Sequence, residues 1–479
     1  MSERYVIAVD LGAESGRVMR AGFDGQRIEM TEVHRFPNKP VYVRDTLYWN
    51  ILDLWQNIKD GIEKAADGYE IASIGLDTWG VDVGMLDSTG KMLSIPVHYR
   101  DERTEGAMDW VFERVPRREV YERTGIQFIQ LNGLYQVASL TRDGSSLFDA
   151  AHTIFTIADL FNYMLTGTAA AEFTMASTWQ AVDPRTRDWD RELLAKVGVP
   201  VERMAPIVQP GTRLGEYEGI PVIASVCHDT GAAVVGVPAT NKNYAYLSSG
   251  TWSLLGLELD HAVINDAAYE ANLTNEGGYG GTFRFLRNIM GMWLVQQCRA
   301  IWAEEGRAYS YDDLVRISEE AEPFQAVIDP DDDSFFRSEN MPQQIRDYLA
   351  RTGQTAPDTD GGLVRTIYES LALKYSLVMK HLVDVSGQPV EQLHIIGGGS
   401  RNKLVCQMAA NATGVPVVAG PAEATALGNA VVQFITYGDL ANLDEARQML
   451  AKSIDTTTYQ PQNVAAWNEQ AQRLSKIIG

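Results

Sequence analysis

Hydrophobic positions in the first half of the chain follow strand and helix periods in turn. Residues 5–12 and 17–23 alternate apolar and polar side chains around a small-residue turn, which predicts a β-hairpin. Residues 51–66 place apolar side chains at helical spacing. Further strands are predicted at 71–77, 83–87 and 220–226. Because strands and helices alternate, we predict an α/β fold with some parallel pairing.

A break at residues 238–241 separates two parts of the sequence that begin in the same way. A second apolar hairpin is predicted at 244–260, directly after this break. We therefore predict one domain over residues 1–240 and another over residues 241–479, with a duplicated architecture.

The second domain is predicted to be more helical than the first. Apolar spacing indicates a long helix that ends at Gly387, and a helix at 402–412 that follows a strand at 392–396. The Asp- and Pro-rich residues 325–362 are predicted to form a loop. Residues 440–479 are polar and helix-prone and carry no recognisable motif.

Composition and charge narrow the class of protein. Of 479 residues, 45% are apolar and 22% are charged, which excludes a largely disordered chain. Lys and Arg number 41 against 63 Asp and Glu, and the formal charge of −22 disfavours nucleic acid and anionic membranes as partners. No apolar run reaches the roughly 20 residues that a membrane span needs. The first residues lead directly into a strand pattern, so we expect no signal peptide.

The cysteine pattern bears on the cellular compartment and on metal binding. Cys227, Cys298 and Cys406 lie far apart and have no metal-ligand spacing. This pattern is typical of reduced thiols and argues against a zinc site. We therefore predict a cytoplasmic protein that binds neither nucleic acid nor membranes.

No Walker A phosphate loop is present. The nearest string, GMLDSTGK at 84–91, has five residues where four are needed, and Met92 replaces the Ser or Thr that would hold magnesium. We predict that residues 88–91 form a plain turn. Because protein-kinase and GxSxG signatures are also missing, any nucleotide chemistry must use another scaffold.

The turn after the first strand is a candidate phosphate site. Asp10 ends the strand, and its carboxylate can hold Mg²⁺ through water, since magnesium keeps several waters. Backbone N–H groups of the turn can face phosphate oxygens, and Arg17 adds positive charge. An ordinary tight hairpin is the alternative hypothesis.

Two other small-residue turns can approach a ligand closely. Residues 248–251 (SSGT) offer hydroxyl groups, although a plain hairpin turn is the alternative. Residues 397–399 are three glycines between a strand and a helix, which suits a base or ribose lying on bare backbone.

Carboxylates follow two further strands. Asp229 lies where a strand meets a small-residue helix, at the strand end where ligands bind in open α/β sheets. It is a candidate helix N-cap or a candidate general base. Asp77 and Asp82 flank Trp79 and Gly80 in an arrangement that suits a sugar, and Trp79 is equally typical of a core.

These segments together resemble the FGGY carbohydrate kinases of the actin-like ATPase superfamily. The matching strings occur in family order over almost the whole chain: DLGAESGRV (10–18), SIGLDTWGVD (73–82), HYRDERT (98–104), TGIQF (124–128), HDTGAA (228–233), YLSSGTWSLLG (246–256), NEGG (275–278), RNIMGMWL (287–294), HIIGGGSRN (394–402) and AGPAEATALGN (419–429). Four strings, DTWGVD, TGIQF, SSGTWSL and NIMGMWL, are most similar to the branch of the family that acts on L-rhamnulose.

The resemblance implies a fold and a reaction. The fold is α/β, with two ribonuclease-H-like (actin-like ATPase) domains flanking a deep interdomain cleft. Residues 1–240 would bind the sugar and residues 241–479 the nucleotide. The reaction would transfer a phosphoryl group from ATP to the 1-hydroxyl of L-rhamnulose, with Mg²⁺ as cofactor.

The resemblance also implies a set of site residues. The implied sugar contacts are Gly80, His228, Asp229, Thr230 and Asn288. The implied ATP contacts are Ala13, Glu14, Ser15, Gly16, Arg17, Thr251, Gln296 and Gly398. Asp229 would be the general base, and Asp10 would hold Mg²⁺ through water. Glu14 is a departure, since a small residue is also common in such turns.

Two alternatives to this function stay open from the sequence. A kinase for another ketose, such as L-fuculose or L-xylulose, would share the ATP and base motifs. A sensor that binds sugar or nucleotide without turnover belongs to a different class of protein. In each case we expect small-molecule partners and a monomer or a homodimer.

Overall fold

The computed structural model describes residues 3–336 and 338–478. The chain forms two compact units that interleave along the sequence. Unit 1 comprises Met1–Thr240, Glu258–Phe285 and Ala424–Ser453. Unit 2 comprises Asn241–Leu257, Leu286–Glu423 and Ile454–Gly479. Which of them binds sugar and which binds nucleotide stays a prediction.

The strands of the described residues fall into one large sheet per half of the chain and several short pairs. In chain order they are β1 (Arg4–Leu11), β2 (Ser15–Phe23), β3 (Ile28–Pro37), β4 (Val41–Val43), β5 (Thr46–Tyr48), β6 (Ile71–Thr78), β7 (Val83–Leu86), β8 (Thr153–Thr156), β9 (Ala171–Glu172), β10 (Val182–Asp183), β11 (Asp188–Trp189), β12 (Ile207–Val208), β13 (Thr212–Tyr217), β14 (Ile220–Ala224), β15 (Tyr244–Ser249), β16 (Trp252–Leu259), β17 (Thr274–Gly277), β18 (Phe283–Met290), β19 (Gln392–Ile396), β20 (Val417–Ala419) and β21 (Thr457–Tyr459).

The α-helices of the described residues are longest in the second half. In chain order they are α1 (Ile51–Ala66), α2 (Ala107–Phe112), α3 (Arg117–Thr124), α4 (Gly133–Arg142), α5 (Ser146–Ala150), α6 (Ile157–Thr166), α7 (Phe173–Ala176), α8 (Arg191–Lys196), α9 (Asp229–Val235), α10 (Asp266–Glu270), α11 (Trp293–Glu304), α12 (Tyr311–Glu319), α13 (Met341–Arg351), α14 (Asp360–Ser386), α15 (Lys403–Thr413), α16 (Ala424–Thr436), α17 (Leu443–Ser453) and α18 (Val464–Ile478). Among these residues, no helix has both the length and the apolar composition to cross a membrane.

The main sheet of unit 1 has the strand order β13-β14-β6-β1-β2-β3. β1 and β2 form the predicted antiparallel hairpin, and β1 pairs in parallel with β6. β6 in turn pairs in parallel with β14. The predicted parallel pairing is therefore confirmed, and the carboxyl ends of β1, β6 and β14 lie at one edge of the sheet.

Helices from distant parts of the sequence cover this sheet. The predicted helix α1 is confirmed, and its apolar stripe of Ile51, Leu54, Ile58, Ile62 and Ala65 is buried. Helix α16 binds the sheet through polar groups, because the Gln433 amide donates to the Ile7 carbonyl at 3.0 Å. A side chain at Gly75 would collide with Gln433, so the glycine permits this close approach.

In the second large sheet β17 lies at one edge, and the other strands follow in the order β18-β16-β15-β19-β20-β21. β15 pairs antiparallel with β16 and parallel with β19, and β19 pairs in parallel with β20. The order β18-β16-β15-β19-β20 repeats the order β3-β2-β1-β6-β14 of unit 1. The predicted duplication of the architecture is therefore confirmed.

One prediction in the second half needs correction. Residues 325–362 are not all loop, because α13 occupies Met341–Arg351 and α14 begins at Asp360. The Asn340 side chain caps α13 by accepting from the Gln343 N–H, and Pro342 suits the first turn. The Asp- and Pro-rich composition concealed this start signal. The helix-prone 440–479 segment also contains β21, which pairs with β20.

The other predictions made there agree with the structure. α14 ends at Gly387, which adopts φ 73° as the residue after the helix. The strand at 392–396 and the helix that follows it are confirmed as β19 and α15. Residues 88–91 form a plain turn, in which Asp87 accepts from the N–H groups of Thr89 and Lys91.

Candidate active site

Three neighbouring strand ends of unit 1 bring acidic residues to one edge of the sheet. The parallel register pairs Asp10 of β1 with Asp77 of β6. The Thr78 N–H donates to the Cys227 carbonyl at 2.9 Å, so the segment after β14 follows alongside. Asp229 comes two residues later. The sheet register therefore positions three carboxylates that are far apart in sequence.

Asp10 is held by Arg17 across the hairpin. The register of β1 and β2 places these residues opposite each other. The Arg17 Nε and Nη2 atoms lie 2.8 and 2.7 Å from Asp10 Oδ2. Asp10 is nearly buried, whereas the Arg17 side chain keeps 19% of its surface exposed. The turn thus offers a partly neutralised carboxylate and a guanidinium that reaches solvent.

The turn that joins these strands is fixed by Asn38. The Asn38 side-chain amide donates to the Gly12 carbonyl at 2.9 Å, and its backbone N–H donates to the Glu14 carbonyl at 2.9 Å. Gly16 packs against the Phe36 ring, where a Cβ would collide. Glu14 itself is exposed. Glu14, which departs from the family pattern of a small residue, therefore places its carboxylate on the exposed side of the turn.

Asp77 is the most deeply buried of the three acids. The Asn429 Nδ2 of α16 donates to its Oδ2 at 2.7 Å, while Oδ1 has no hydrogen-bond partner among the described residues. Burial, and secondarily the charge of Asp10, holds the pKa of Asp77 well above its usual range. Asp77 therefore holds a proton more readily than an ordinary aspartate.

Asp229 is the first residue of α9, and the residue in the N-cap position is His228. The N-cap hypothesis for Asp229 is therefore wrong. Its Oδ1 accepts from the Thr230 N–H and hydroxyl, and 30% of its side chain is exposed. Burial, followed by the charge of Asp10, raises the pKa of Asp229 to about 7. A carboxylate with that pKa is suited to general-base chemistry near neutral pH.

His228 is held as a neutral hydrogen-bond donor. The Arg284 Nη2 lies 2.9 Å from His228 Nδ1, and since a guanidinium only donates, Nδ1 accepts and Nε2 carries the proton. Nε2 lies 3.4 Å from Asp229 Oδ1. Burial, with a smaller effect of Arg284, holds the pKa of His228 well below its usual range. The imidazole therefore offers an N–H on the side of Asp229.

Arg284 is in turn fixed by a buried set of acceptors. It is fully buried, its Nη2 lies 3.0 Å from Glu276 Oε2, and its Nε donates to the Gly277 carbonyl at 2.9 Å. A buried charge needs such partners. Through these contacts β17 and β18 determine which nitrogen of His228 carries the proton.

Gly80 and Thr230 are the remaining predicted site residues of unit 1. A Cβ at Gly80 would lie 3.3 Å from His228 Nε2 and 3.3 Å from Thr178 Oγ1, so the bare backbone faces the imidazole. Thr230 is buried beside Asp229. The structure thus brings together the predicted residues Asp10, Ala13–Arg17, Gly80, His228, Asp229 and Thr230.

The glycine turn of unit 2 packs on the end of β15. Gly397 adopts φ 78°, and a Cβ there would lie 3.1 Å from the Ser249 carbonyl. A Cβ at Gly399 would collide with the Ser249 side chain. A Cβ at Gly398 would meet nothing within 4 Å. The turn therefore presents open backbone at Gly398, as a flat ligand requires.

Thr251 and Gln296 are linked through the start of α11. The Thr251 carbonyl accepts from the N–H groups of Gly291 and Trp293, at 3.1 and 3.2 Å. Gln296 follows in the first turn of α11, and its Oε1 is buried with no hydrogen-bond partner among the described residues. Asn288 lies on β18, within unit 2. The predicted nucleotide residues Thr251, Gln296 and Gly398 and the predicted sugar residue Asn288 thus belong to unit 2.

Sequence reasoning missed several groups of the site. Glu276 and Asn429 lie in strings that carried the family resemblance, so a signal for them existed. Thr178 and Arg284 had no such signal, because Arg284 lies in a strand pattern and Thr178 in a short irregular segment.

All three cysteines are buried, and burial raises their pKa values. No group of three or more metal-ligating side chains occurs within residues 3–336 and 338–478.

Comparison with known proteins identifies the family. A model of the N-terminal domain of the FGGY family of carbohydrate kinases matches residues 5–236, and a model of the C-terminal domain matches residues 245–437. The chain belongs to the FGGY family of carbohydrate kinases. The resemblance drawn from the sequence is therefore confirmed.

Relatives of known name extend over nearly the whole chain. A rhamnulokinase from Bacteroides thetaiotaomicron is 45% identical over 472 residues, which cover 96% of each protein. A rhamnulokinase from Klebsiella pneumoniae is 40% identical over 469 residues, 96% of this chain and 95% of the relative.

Solved structures of sugar kinases share the fold. A gluconate kinase from Lactobacillus acidophilus superposes with a TM-score of 0.82 at 15% identity, covering 99% of this chain and 98% of its own. A glycerol kinase from Plasmodium falciparum, with ADP, superposes with a TM-score of 0.76 at 17% identity, covering 98% of each chain. The predicted two-domain α/β fold is confirmed.

Proposed function

We propose that this FGGY kinase transfers the γ-phosphoryl group of ATP to the 1-hydroxyl of L-rhamnulose. The two rhamnulokinases that align with 96% of the chain support this substrate. The observation that carries the chemistry is the Asp229 carboxylate. It reaches solvent at a strand edge beside His228 and near Asp10, and its pKa lies near 7.

Asp229 acts as the general base. It accepts the proton of the sugar's 1-hydroxyl as that oxygen attacks the γ-phosphorus, which makes the oxygen a stronger nucleophile. Thr230 holds Asp229 Oδ1 through two hydrogen bonds, which fixes the position of the carboxylate. Phosphoryl transfer otherwise depends on positioning and charge neutralisation.

The first hairpin turn binds the phosphates. Backbone N–H groups of Ala13 to Gly16 and the Arg17 guanidinium bind phosphate oxygens, and Thr251 stays a predicted ATP contact in unit 2. Arg17 is suited to this role because it is anchored on Asp10 yet partly exposed. Fixed donors of this kind stabilise charge that develops in the transition state.

The acidic strand edge of unit 1 fits a magnesium ion. Carboxylate oxygens are the donors that Mg²⁺ prefers, and the Asp77 Oδ1 is a buried acceptor without a partner among the described residues. Asp10 would hold the ion through water. When bound, Mg²⁺ supplies positive charge that neutralises the phosphate oxygens of ATP.

The sugar binds unit 1 through Gly80, His228 and Thr230, and Asn288 stays a predicted sugar contact in unit 2. The His228 Nε2–H is a hydrogen-bond donor for a sugar oxygen, and bare Gly80 leaves room beside it. The nucleotide base and ribose lie on the open backbone of Gly398, and Gln296 offers its unpartnered Oε1. In this proposal the sugar is mainly the ligand of unit 1 and the adenosine that of unit 2.

A ketose panel tests the proposal. Purified protein is incubated with Mg·ATP and L-rhamnulose, L-fuculose or L-xylulose, and ADP release is followed by a coupled assay. We expect the highest kcat/KM with L-rhamnulose and a product phosphorylated at C1. A higher kcat/KM with either other ketose would replace the substrate assignment. Sugar binding without ADP release at saturating Mg·ATP would favour the sensor instead.

Two expectations from the sequence stay predictions. The protein is expected to be cytoplasmic, and it is expected to be a monomer or a homodimer. Light scattering of the purified protein measures the second directly.

A further inference from the structure

The turn beside the sugar site has an unusual backbone. The Asp82 N–H donates to the Gly80 carbonyl at 3.0 Å, which closes a three-residue turn around Val81. We call residues 80–82 the Gly80 turn. Val81 adopts φ 73° within it. A three-residue turn with a positive central φ is rare and strained, and a β-branched residue makes it more so.

Side chains from other elements hold this turn in place. The Gln136 Nε2 of α4 lies 3.0 Å from the Val81 carbonyl and 3.1 Å from Asp82 Oδ1. The Arg103 Nη2 donates to Gln136 Oε1 at 2.6 Å, so only Nε2 faces the turn. Gln136 is fully buried, and its hydrogen bonds cannot be replaced by water.

Asp82 ties the same turn to two tryptophans. Its Oδ2 accepts from the indole N–H of Trp49 at 2.5 Å and of Trp79 at 2.8 Å. The two indole rings are 3.9 Å apart. Burial raises the pKa of Asp82 to about 6, so the carboxyl is ionised and accepts hydrogen bonds at neutral pH. The sequence left open whether Asp82 and Trp79 bind sugar, and both side chains are buried.

We infer that Gln136 and Asp82 are positioning residues for the sugar site, which keep the strained Gly80 turn in the conformation that presents Gly80 to His228. Within the described residues, neither side chain makes a hydrogen bond to His228. They act through the Val81 carbonyl and the Asp82 backbone, and strain of this kind persists only where the surroundings fix it. The inference rests on the proposed function, because it takes Gly80 as a sugar contact.

A double-mutant cycle tests this role. In Gln136→Met the N–H donors are lost at similar volume, and the turn relaxes out of its binding conformation. We expect KM and Kd for L-rhamnulose to rise about tenfold, because a smaller fraction of the protein has the turn in its binding conformation. KM for ATP and kcat are expected to change less than about threefold. Gln136→Asn, which keeps the amide but shortens its reach, is expected to change the same constants in the same direction.

Val81→Gly supplies the second arm of the cycle. Glycine adopts this φ without strain, so the turn needs less support. In the Val81→Gly background, Gln136→Met is therefore expected to raise the sugar KM less than about threefold. The difference between this rise and the rise in the wild-type background measures the coupling between the two residues. Gln354→Met is the matched control. It removes hydrogen bonds to Val327 in unit 2 and is expected to leave both KM values unchanged.

The outcomes separate this inference from the substrate assignment. Equal tenfold effects in both backgrounds, or an unchanged sugar KM in Gln136→Met, would overturn the inference while the wild-type enzyme still phosphorylates its sugar. If the panel identifies another ketose, the same cycle is measured with that ketose. Sugar affinity by calorimetry without ATP gives a readout that does not depend on turnover.

Discussion

The strand edges of the two units share one topology but carry different residues. In unit 1 the ends of β1, β6 and β14 carry Asp10, Asp77 and the His228–Asp229 pair. In unit 2 the corresponding ends of β15, β19 and β20 carry Ser249, the glycines 397–399 and Gly420. The first edge is dense in titratable groups, and the second is built from small residues.

The difference shows what each kind of site requires. Burial, and secondarily the charge of the neighbouring Asp10, raises the pKa values of Asp77 and Asp229. Such an edge suits proton transfer and cation binding. At the other edge, bare backbone at Gly398 suits a flat ligand. Loss of function at the first edge is therefore expected to affect chemistry, and loss at the second to affect nucleotide binding.

The largest expected effect is that of Asp229→Asn. The amide keeps the shape of the carboxylate but accepts no proton, so kcat should fall about 10²- to 10⁴-fold, as is typical of a lost general base. Steady-state kinetics with L-rhamnulose and Mg·ATP measures it. An unchanged kcat would dismiss Asp229 as the base.

A side chain at Gly398 should damage the other function. Gly398→Val places methyl groups over the open backbone without a clash inside the protein. We expect KM for ATP to rise roughly 10- to 100-fold, the range for a group that no longer fits a pocket. The sugar KM and the melting temperature should stay near wild type, and Gly398→Ala should give a smaller rise. Equal rises in both KM values would mean that Gly398 is not specific to the nucleotide.

Asp10→Asn should alter the magnesium requirement. With one negative charge removed, the Mg²⁺ concentration for half-maximal activity should rise roughly tenfold, in the range found for groups that act on a metal indirectly. A magnesium titration at fixed ATP measures the change. Asp24→Asn, an exposed aspartate in a surface turn, is the control and should titrate like wild type. Identical titrations of all three proteins would remove Asp10 from the magnesium site.

The smallest expected effect is a pH-dependent difference in stability. The pKa of Asp229 is about 7 in the folded protein and near 3.9 when unfolded, so the folded state binds more protons between these values. The contribution of Asp229 to stability therefore falls as pH rises from about 4 to 7. In EDTA, Asp229→Asn should melt a few degrees above wild type at pH 8, and the gap should close near pH 4. A gap independent of pH would contradict the raised pKa.

The sequence was sufficient where short-range patterns decide the structure. The hairpin of β1 and β2, helix α1 and the glycine stop of α14 follow from period and end signals. The family strings located Asp229, Gly80 and the glycine turn. Helix α13 was not predicted, because its N-capping signal lies in a segment whose composition is typical of a loop.

Long-range contacts were beyond such patterns. Asn429 reaches Asp77 only because α16, more than 350 residues along the chain, packs on β1 and β6. Arg284 fixes the His228 tautomer from a strand that carries no catalytic signature. Positive φ at Val81 follows from the surrounding hydrogen bonds, since local preference alone would not place a β-branched residue there.

The central claim is a division of labour, with proton transfer at the edge of unit 1 and adenosine binding at the edge of unit 2. Calorimetry of a non-hydrolysable ATP analogue against Asp229→Asn and Gly398→Val tests it most directly. The account predicts wild-type affinity for Asp229→Asn and an affinity weakened at least about tenfold for Gly398→Val. Weakened binding by Asp229→Asn together with wild-type binding by Gly398→Val would contradict it.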